Sequence, residues 1–397
     1  MAMTMLQAAL LWQVYDLSGS ALQLGMLGLV RFLPSLGLSL VAGSIADSYD
    51  RRLIAIVSQV APTACAIILM TTTLAGAVSL PLIYGLVLVI ALASAFENPA
   101  RQALLPSIVT PETFANAITV SSTVQQLGFV SGPAMAGLLI AVSGVAAAYA
   151  AYAGLIAASI ISLALIRPRA RDWPSRKVSV EAIREGISFV WGRQVILGSM
   201  TLDMFAVIFG GATALLPIYA KDILGVGAVG YGLLAASLDV GALVMSVALV
   251  VLPPVRNTGR TLLVAVAVFA LATTLFGISR SFPMSLAAYM LVGMSDQVSV
   301  VMRNTTVQLS TPDELRGRVS SVNMLFIGAS NQLGAVESGF VAAVTSATFA
   351  VVSGGIGCLA VVGVVTARMP ELRRYRIARP EPDATRVAEP VAAGGSQ

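Results

Sequence analysis

Ala21-Leu-Gln-Leu-Gly-Met-Leu-Gly-Leu-Val-Arg31-Phe-Leu-Pro34 opens an apolar segment that continues to Ala46. A run of this length is what an α-helix needs to cross the roughly 30 Å hydrocarbon core of a bilayer. Burying its one basic residue, Arg31, costs about 3 kcal/mol on insertion scales, so we expect this side chain to face a partner or a wet cavity. The alternative is that the side chain snorkels to the lipid headgroups, about ten residues or roughly 15 Å away.

The composition is that of a polytopic membrane protein. Hydrophobic residues make up 57% of the 397 and charged residues only 11%, whereas soluble domains have a charged share of roughly 25%. The apolar runs are continuous and do not alternate at every second residue, which excludes a β-barrel. The chain has no His, and its two cysteines, Cys65 and Cys358, lie in apolar runs. We therefore expect no metal site, no cofactor and no disulfide framework.

Twelve apolar segments fit membrane-spanning helices, and they fall into two groups of six. The first is short for the hydrocarbon thickness and contains Gln7 and Gln13, so we expect the start of this helix to be missing. The predicted spans, numbered 1 to 12, are 1–15, 21–46, 53–77, 80–96, 114–140, 145–166, 195–220, 226–252, 261–279, 283–302, 319–341 and 344–366.

The longest polar stretch separates the two groups and contains a predicted amphipathic helix. Val180, Ile183, Ile187 and Val190 share one face of this helix, which we expect to lie on the cytoplasmic surface. The end of the chain is rich in Pro, Ala, Gly and charge, as disordered segments are. The predicted organisation is an N-terminal half (1–166), a cytoplasmic linker (167–194), a C-terminal half (195–366) and a disordered cytoplasmic tail (367–397).

The basic residues predict the orientation in the membrane. Apart from Arg31, the predicted loops and ends on one side hold 21 of the 24 Lys and Arg residues, and the other side holds only Lys221 and Arg280. Because basic loops stay inside, both termini are predicted in the cytoplasm of a bacterial-type inner (plasma) membrane. This topology also explains the pI of about 9.5 without a nucleic-acid partner.

A sequence repeat supports the division into two halves. Pro111-Glu-Thr-Phe-Ala-Asn-Ala-Ile-Thr-Val-Ser-Ser122 corresponds to Pro312-Asp-Glu-Leu-Arg-Gly-Arg-Val-Ser-Ser-Val-Asn323. Each follows a span and an arginine-bearing stretch, at Arg101 and Arg303. The alternative is a chance similarity between two helix starts, where proline followed by acids is common. A true repeat is typical of transporters that bind substrate between their halves near the membrane midplane.

The loop after span 2 carries a motif, Gly43-Ser-Ile-Ala-Asp47-Ser-Tyr-Asp50-Arg51-Arg52. It resembles the G-x-x-x-D-x-x-G-R-[RK] loop of the major facilitator superfamily, with Asp50 in place of the second glycine. The aspartate can pair with an arginine or a helix N-terminus, and the basic pair favours the cytoplasmic face. The loop after span 8 lacks the aspartate, so the resemblance implies a one-sided cytoplasmic gate. Its residues are Gly43, Asp47, Arg51, Arg52 and Arg101.

Span 5 contains Gly128-Phe-Val-Ser-Gly132-Pro133-Ala-Met-Ala136-Gly137. It resembles the G-x-x-x-G-P-x-x-[GA]-G motif of exporting members of the same superfamily. The alternative interpretation is a glycine-lined, proline-kinked packing face. Export is therefore an expectation from resemblance, carried by Gly128, Gly132, Pro133 and Gly137.

Further stretches narrow the resemblance to an exporter subgroup, the transmembrane secretion effectors, which includes the enterobactin exporter. They cover nearly the whole chain. The resemblance implies an all-α major facilitator fold, with twelve transmembrane helices in two six-helix repeats, in which spans 2 and 11 and spans 5 and 8 meet between the halves. It also implies proton-driven efflux of a siderophore, macrolide or similar amphipathic molecule. The stretches include Trp12-Gln-Val-Tyr15, Arg31-Phe-Leu-Pro34, Asn98-Pro-Ala-Arg-Gln-Ala-Leu-Leu-Pro106 and Glu185-Gly-Ile-Ser-Phe189.

Polar residues inside the later spans are candidates for binding substrate or protons, together with Arg31. Burial favours the protonated form of a carboxylate, so such groups can exchange protons near neutral pH, although each can instead be a static ion-pair residue. Acids within the predicted spans occur only in the second half, so Arg31 is expected to face Asp239 or Glu337 across the interface. The candidates are Asp203 in span 7, Asp239 in span 8, Asp296 in span 10, and Asn331, Gln332 and Glu337 in span 11.

The predicted function is secondary-active efflux of a small molecule by a monomer in the lipid bilayer, in exchange for protons. A solute importer of the same fold is the nearest alternative, and a non-transporting scaffold or receptor is another. Enzymatic activity is not expected, and the chain has no G-x-x-x-x-G-K-[ST] phosphate loop for ATP-driven transport.

Overall fold

The computed structural model describes residues 1–48, 51–110, 112–166, 180–253 and 255–376, with side chains except at 35–48, 51, 98–99, 102–103, 105–107, 115, 180–183, 186 and 314. These residues form helices joined by short turns, without a β-strand. The first group is α1 (Ala2–Ser18), α2 (Ala21–Ser48), α3 (Arg51–Leu74), α4 (Leu80–Ile108), α5 (Phe114–Ser143) and α6 (Val145–Leu165).

A linker helix, α7 (Val180–Trp191), precedes the second group. Nine helical segments of the described chain are long and apolar enough to cross a bilayer, and α1, α2 and α13 account for the other three predicted spans. The all-α, twelve-helix prediction is thereby confirmed. The second group is α8 (Gln194–Phe209), the short turn α9 (Leu216–Ile218), α10 (Gly227–Val251), α11 (Thr258–Ile278), α12 (Phe282–Leu309), α13 (Asp313–Val344), α14 (Ala347–Arg368) and α15 (Pro370–Arg374).

We call the membrane side with α7 and the α12–α13 turn the arginine-rich side, and the side with the α1–α2 turn the arginine-poor side. Three helices extend six or more residues further toward the arginine-rich side than their apolar pattern predicts: α4, α12 and α13, which begins at Asp313 instead of 319. Span 4 was expected to end at 96 and span 10 at 302, whereas α4 continues to Ile108 and α12 to Leu309. Backbone hydrogen bonding does not stop where the hydrophobic pattern stops. As a result, Glu97, Arg101 and Arg303 lie within helices, and the assignment of Arg101 and Arg303 to loops was wrong.

Span 7 is interrupted, although its sequence predicts one continuous helix. The α8 helix ends at Phe209, and the chain passes Gly210 and Gly211 before short helical turns carry it to Ile223. A Cβ atom on Gly211 would lie 2.6 Å from the carbonyl oxygen of Gly334 in α13. The glycine therefore allows α13 to approach the break closely.

Each group packs mainly within itself. In the first, α1 packs against α5 and α6, and α3 packs against α4 and α6; in the second, α11 packs against α12 and α14, and α8 against α13 and α14. Extensive contacts between the groups join α2 to α13 and α5 to α10, as the resemblance implies. Pro312 is the N-cap of α13 on the arginine-rich side. Its predicted counterpart, Pro111, lies outside the described residues.

The linker helix docks on the second group. Val190 is buried in a cluster with Ile196, Met200 and Val319, while Ile187 on the predicted apolar face is 39% exposed. Arg318 of α13 forms a 2.5 Å ion pair with Glu185 of α7. The predicted amphipathic segment is helical and packs on the second group through Val190; its place on the cytoplasmic surface stays a prediction. Linker residues 167–179 and tail residues 377–397 lie outside the described part of the chain.

Gln13, one of the two glutamines in the apolar pattern of span 1, is buried, and its side-chain amide has hydrogen-bond partners. The Gln13 side chain donates to Thr73 Oγ1 at 2.8 Å and accepts from the Tyr149 hydroxyl at 2.5 Å. A buried amide with both partners supplied is compatible with a helix core. Gln13 thus links α1 to α3 and α6.

Candidate transport pathway

Glycines bring the two groups into close contact toward the arginine-poor side. A Cβ atom on Gly25 of α2 would lie 3.1 Å from Cα of Gly339 in α13, and one on Gly28 would lie 2.9 Å from Cβ of Ala335. Small residues allow helices in lipid to approach at this distance. The contact is near the start of α2 and the end of α13, so these helices meet at their arginine-poor ends.

The glycines of the proposed export motif divide between two partners. Gly128 and Gly132 face α1, where the Thr4 hydroxyl donates to the Gly128 carbonyl oxygen at 3.1 Å. Gly137 faces α10, and a Cβ atom on it would lie 2.7 Å from Cα of Gly232. Pro133 is buried inside α5 between these contacts. The motif is therefore a packing face, and one of its contacts joins the two groups.

Polar contacts on the arginine-poor side also connect the groups. Lys221 Nζ lies 2.5 Å from Asp16 Oδ1, and the Tyr15 hydroxyl donates to Asp222. The Tyr231 hydroxyl of α10 donates to the Ala8 carbonyl oxygen at 3.0 Å. Sequence reasoning did not find these contacts. The available signal was that Lys221 is one of only two basic residues on this side.

The proposed gate is only partly described. Arg52 donates through Nε to the Leu163 carbonyl oxygen at 2.8 Å and also to the Ala164 carbonyl, so it interacts with the last turn of α6, where cations are favoured. Arg101 is an exposed residue of α4. Gly43 and Asp47 belong to α2, but the Asp47 and Arg51 side chains and Asp50 lie outside the described residues. The Asp47–Arg101 pairing remains a prediction.

Arg31 faces the interface between the groups. It is partly buried, and its guanidinium interacts electrostatically with Tyr231 of α10, whose ring lies 5.4 Å from that of Trp12. Among the described residues Arg31 forms no ion pair, so the expected pairing with Asp239 or Glu337 is not formed here. Asp239 lies eight residues beyond Tyr231 along α10, about 12 Å at helical rise, which explains the separation.

Arg303 forms a buried ion pair that the sequence did not predict. Its Nη1 lies 2.6 Å from Asp203 Oδ2 of α8, and the two side chains are 3% and 7% exposed. The same nitrogen lies 3.4 Å from Asn323 Oδ1 of α13. Arg303 Nε and Thr306 Oγ1, one turn further along α12, are buried without a hydrogen-bond partner.

Two further acids lie near this pair. Asp296, two turns before Arg303 on the same face of α12, interacts electrostatically with Asp203, Arg303 and Asp239. Asp296 and Asp239 are partly exposed, whereas Asp203 is buried. Asp203 is thus paired with Arg303, Asp296 interacts with both members of the pair, and Asp239 interacts with Asp296.

The candidates in α13 lie apart from this cluster. Glu337 accepts a hydrogen bond from the Ser338 hydroxyl at 3.3 Å. Asn331 is exposed and donates to the Ile327 carbonyl oxygen of its own helix at 2.9 Å. The backbone oxygen of Gln332 faces Gly28 of α2. These contacts are local or belong to the α2–α13 packing.

The first group also contains an acid inside a helix. The Glu97 side chain accepts from Gln59 Nε2 of α3 at 3.0 Å, and Gln59 is 5% exposed. Acids fall within the predicted spans only in the second half, because span 4 was predicted to end one residue before Glu97; the α4 helix includes Glu97. A buried glutamine facing α4 is the partner that sequence reasoning missed.

Comparison with known proteins gives a consistent picture. The sequence model of a family described as transmembrane secretion effector matches residues 2–393. The multidrug efflux pump Tap of Mycolicibacterium fortuitum is 29% identical over 382 residues, covering 91% of each chain. The enterobactin exporter EntS of Escherichia coli O1:K1 / APEC is 24% identical, covering 93% of this chain and 86% of that protein.

Solved structures share the fold at low sequence identity. The nucleoside transporter NupG superposes with a TM-score of 0.67 at 12% identity, covering 92% of this chain and 96% of that one. A bacterial homologue of the human lysosomal transporter Spinster, solved in an inward-facing and unoccupied conformation, has a TM-score of 0.65 at 14% identity and covers 94% of each chain. These likenesses concern the fold alone.

Proposed function

Because the chain belongs to the transmembrane secretion effector family of the major facilitator superfamily, we propose that it exports a small amphipathic molecule from the cytoplasm by proton antiport and alternating access. The names of its relatives, a multidrug efflux pump and an enterobactin exporter, support an efflux transporter. The arginine-rich side is assigned to the cytoplasm by the positive-inside rule. The observation that carries the proton coupling is the buried Asp203–Arg303 ion pair, with which Asp296 interacts and to which Asp239 is linked through Asp296.

Alternating access is supported by the asymmetry of the contacts. The arginine-poor side is held together by the Gly25–Gly339 and Gly137–Gly232 approaches and by the Asp16–Lys221 pair. On the other side, α5 is exposed on most of its surface from 116 to 127 and packs from Gly128 onward. We assign this conformation to the inward-open state, in which substrate enters from the cytoplasm.

The charge balance of the second group favours a proton-binding site. Arg303 compensates one carboxylate, that of Asp203, and two more lie nearby on Asp239 and Asp296. Leaving buried carboxylates uncompensated is costly, so uptake of a proton by Asp296 or Asp239 stabilises the cluster. With Asp296 protonated, the guanidinium stays with Asp203. When Asp296 loses its proton it competes for Arg303, and this competition changes how α12 packs against α8.

In this proposal, Arg31 is the residue of the first group that binds the substrate. Its guanidinium interacts electrostatically with Tyr231, and Trp12 contacts the same tyrosine ring. A cation at an interface that also contains aromatic rings suits an amphipathic molecule with an anionic group and a planar apolar part. In this proposal Arg31 binds substrate from the inward-open cavity, and Asp239 and Asp296 carry the proton.

Closure of the cytoplasmic side in the opposite state is assigned to the loop motif. Asp47 is expected to approach Arg101 when α2 and α4 move toward α13. This assignment comes from the family resemblance, since the Asp47 side chain lies outside the described residues.

The test uses the purified full-length protein in liposomes containing an anionic, amphipathic fluorescent dye, sulforhodamine B, under an imposed pH gradient. Asp296→Asn should lose gradient-driven transport but keep dye exchange at equal pH, because exchange needs no net proton movement. Asp313→Asn is the matched control, since its carboxylate is 82% exposed at the start of α13. Gradient-driven transport by Asp296→Asn at the wild-type rate would refute the coupling. Dye uptake in the opposite direction would indicate an importer, and no dye movement by the wild type would favour a scaffold.

A further inference from the structure

A strongly basic cavity lies at the arginine-rich end of α11, away from the transport pathway. Its volume is about 230 Å³, and no Asp or Glu lines it. The four arginines around it form no ion pair with any described residue. The lining consists of Asn257, Arg260, Arg373, Arg374, Tyr375 and Arg376.

The backbone that carries these arginines is fixed against the helix bundle. Leu372 of α15 is fully buried, and the Gly259 N–H of α11 donates to the Tyr375 carbonyl oxygen at 3.3 Å. A Cβ atom on Gly259 would overlap the Leu372 carbonyl, so this approach needs a glycine. The Ser310 hydroxyl at the end of α12 donates to the Tyr375 hydroxyl at 3.1 Å. Four guanidinium groups are therefore held together at a defined place, without an ion-pair partner from the part of the chain that the structure describes.

The cavity adjoins the surface that faces lipid. Arg260, Val264, Leu271 and Ile278 follow one face of α11 at helical spacing, and the three apolar residues are 62%, 57% and 55% exposed. Exposed apolar residues along a membrane helix contact acyl chains. Arg260 ends this stripe at the level where the headgroups of the arginine-rich leaflet lie.

We propose that this cavity binds the phosphate of an anionic phospholipid from the arginine-rich leaflet. Guanidinium groups donate paired hydrogen bonds to phosphate oxygens, and basic pockets beside membrane helices bind anionic headgroups. The acyl chains of the same molecule would lie along Val264 and Leu271. A bound headgroup would hold α15 against α11 by reducing the repulsion among the four arginines.

The experiment measures retention of phosphatidylglycerol and of phosphatidylcholine by the detergent-purified protein, using native mass spectrometry. Arg373→Gln/Arg374→Gln should weaken phosphatidylglycerol binding roughly tenfold or more and leave phosphatidylcholine unchanged, and rising salt should weaken binding to the wild type. Arg260→Gln on α11 should act in the same direction. The matched control is Arg316→Gln/Arg318→Gln, which removes the same charge from arginines already paired with Asp313 and Glu185.

Three outcomes would overturn the proposal. Equal phosphatidylglycerol retention by wild type and both cavity variants, each monodisperse on gel filtration, would exclude the site. An equal loss of phosphatidylglycerol binding in the Arg316→Gln/Arg318→Gln control would show that binding depends on the net charge of the protein and not on this cavity. Displacement of phosphatidylglycerol by millimolar inorganic phosphate would identify a site for a free anion and not for a lipid.

Discussion

Asp203 and Arg303 form an ion pair at 2.6 Å between α8 and α12, with both side chains almost completely buried. The pair joins two helices of the second group, and Asn323 brings in α13 through a 3.4 Å contact. Since the Nε atom of Arg303 has no hydrogen-bond partner among the residues that the structure describes, the guanidinium retains a donor for another acceptor. This unused donor makes a change of partner physically reasonable.

We predict that Asp203→Asn and Arg303→Gln will each destabilise the protein by about 3–5 kcal/mol, because each leaves a buried charge without its partner. The double variant should be more stable than either single variant, since neither member of the pair is then left as a buried charge without its partner. Thermal unfolding in detergent measures this comparison. Additive losses in the double variant would show that the two side chains do not depend on each other.

A second prediction concerns the glycine contact between α2 and α13. Gly339→Val adds atoms where Gly25 lies in contact, so it should prevent closure of the arginine-poor side and abolish transport. Gly85→Val is the control, because no atom lies within 4 Å of a Cβ at that position. Dye efflux from vesicles, normalised to the amount of protein in the membrane, measures the difference. Equal efflux by the two variants would mean that closure does not need this contact.

The third prediction tests the gate implied by the family resemblance. Asp47→Asn should impair transport without reducing insertion into the membrane, because it removes the charge expected to pair with Arg101. Asp50→Asn, three residues later, is the control for loss of an acid from the same loop. Transport rate and membrane abundance are measured together. Wild-type transport by Asp47→Asn would remove this residue from the mechanism.

Hydrophobic patterning predicted the membrane class and the positions of all twelve spans, because each helix must satisfy its own backbone in lipid. It failed at helix ends. Glu97 and Arg303 were excluded from spans that end at 96 and 302, although the helices continue past them. An apolar run records the thickness of the hydrocarbon and not the length of the helix.

The partners of the charged side chains could not be predicted from the sequence either. Asp203 and Arg303 are 100 residues apart, and neither has a local pattern that indicates the other. The family resemblance placed Arg31 at the interface between the halves. The choice between Asp239 and Glu337 as its partner depended on the depth of each acid in the membrane and on which spans are neighbours. The structure places neither acid within ion-pair distance of Arg31.

Arg31 is the subject of the last prediction. Its guanidinium interacts with Tyr231 across the interface and has no acid partner among the described residues, so a substrate anion is the proposed counter-charge. Arg31→Ala should therefore abolish proton-coupled efflux and reduce affinity for an anionic substrate more than for a cationic dye. Arg31→Lys should restore part of the affinity, because it keeps the charge but loses the planar donor geometry. Binding and efflux of matched anionic and cationic dyes separate these effects. If Arg31→Ala transports both at the wild-type rate, Arg31 is not part of the transport pathway.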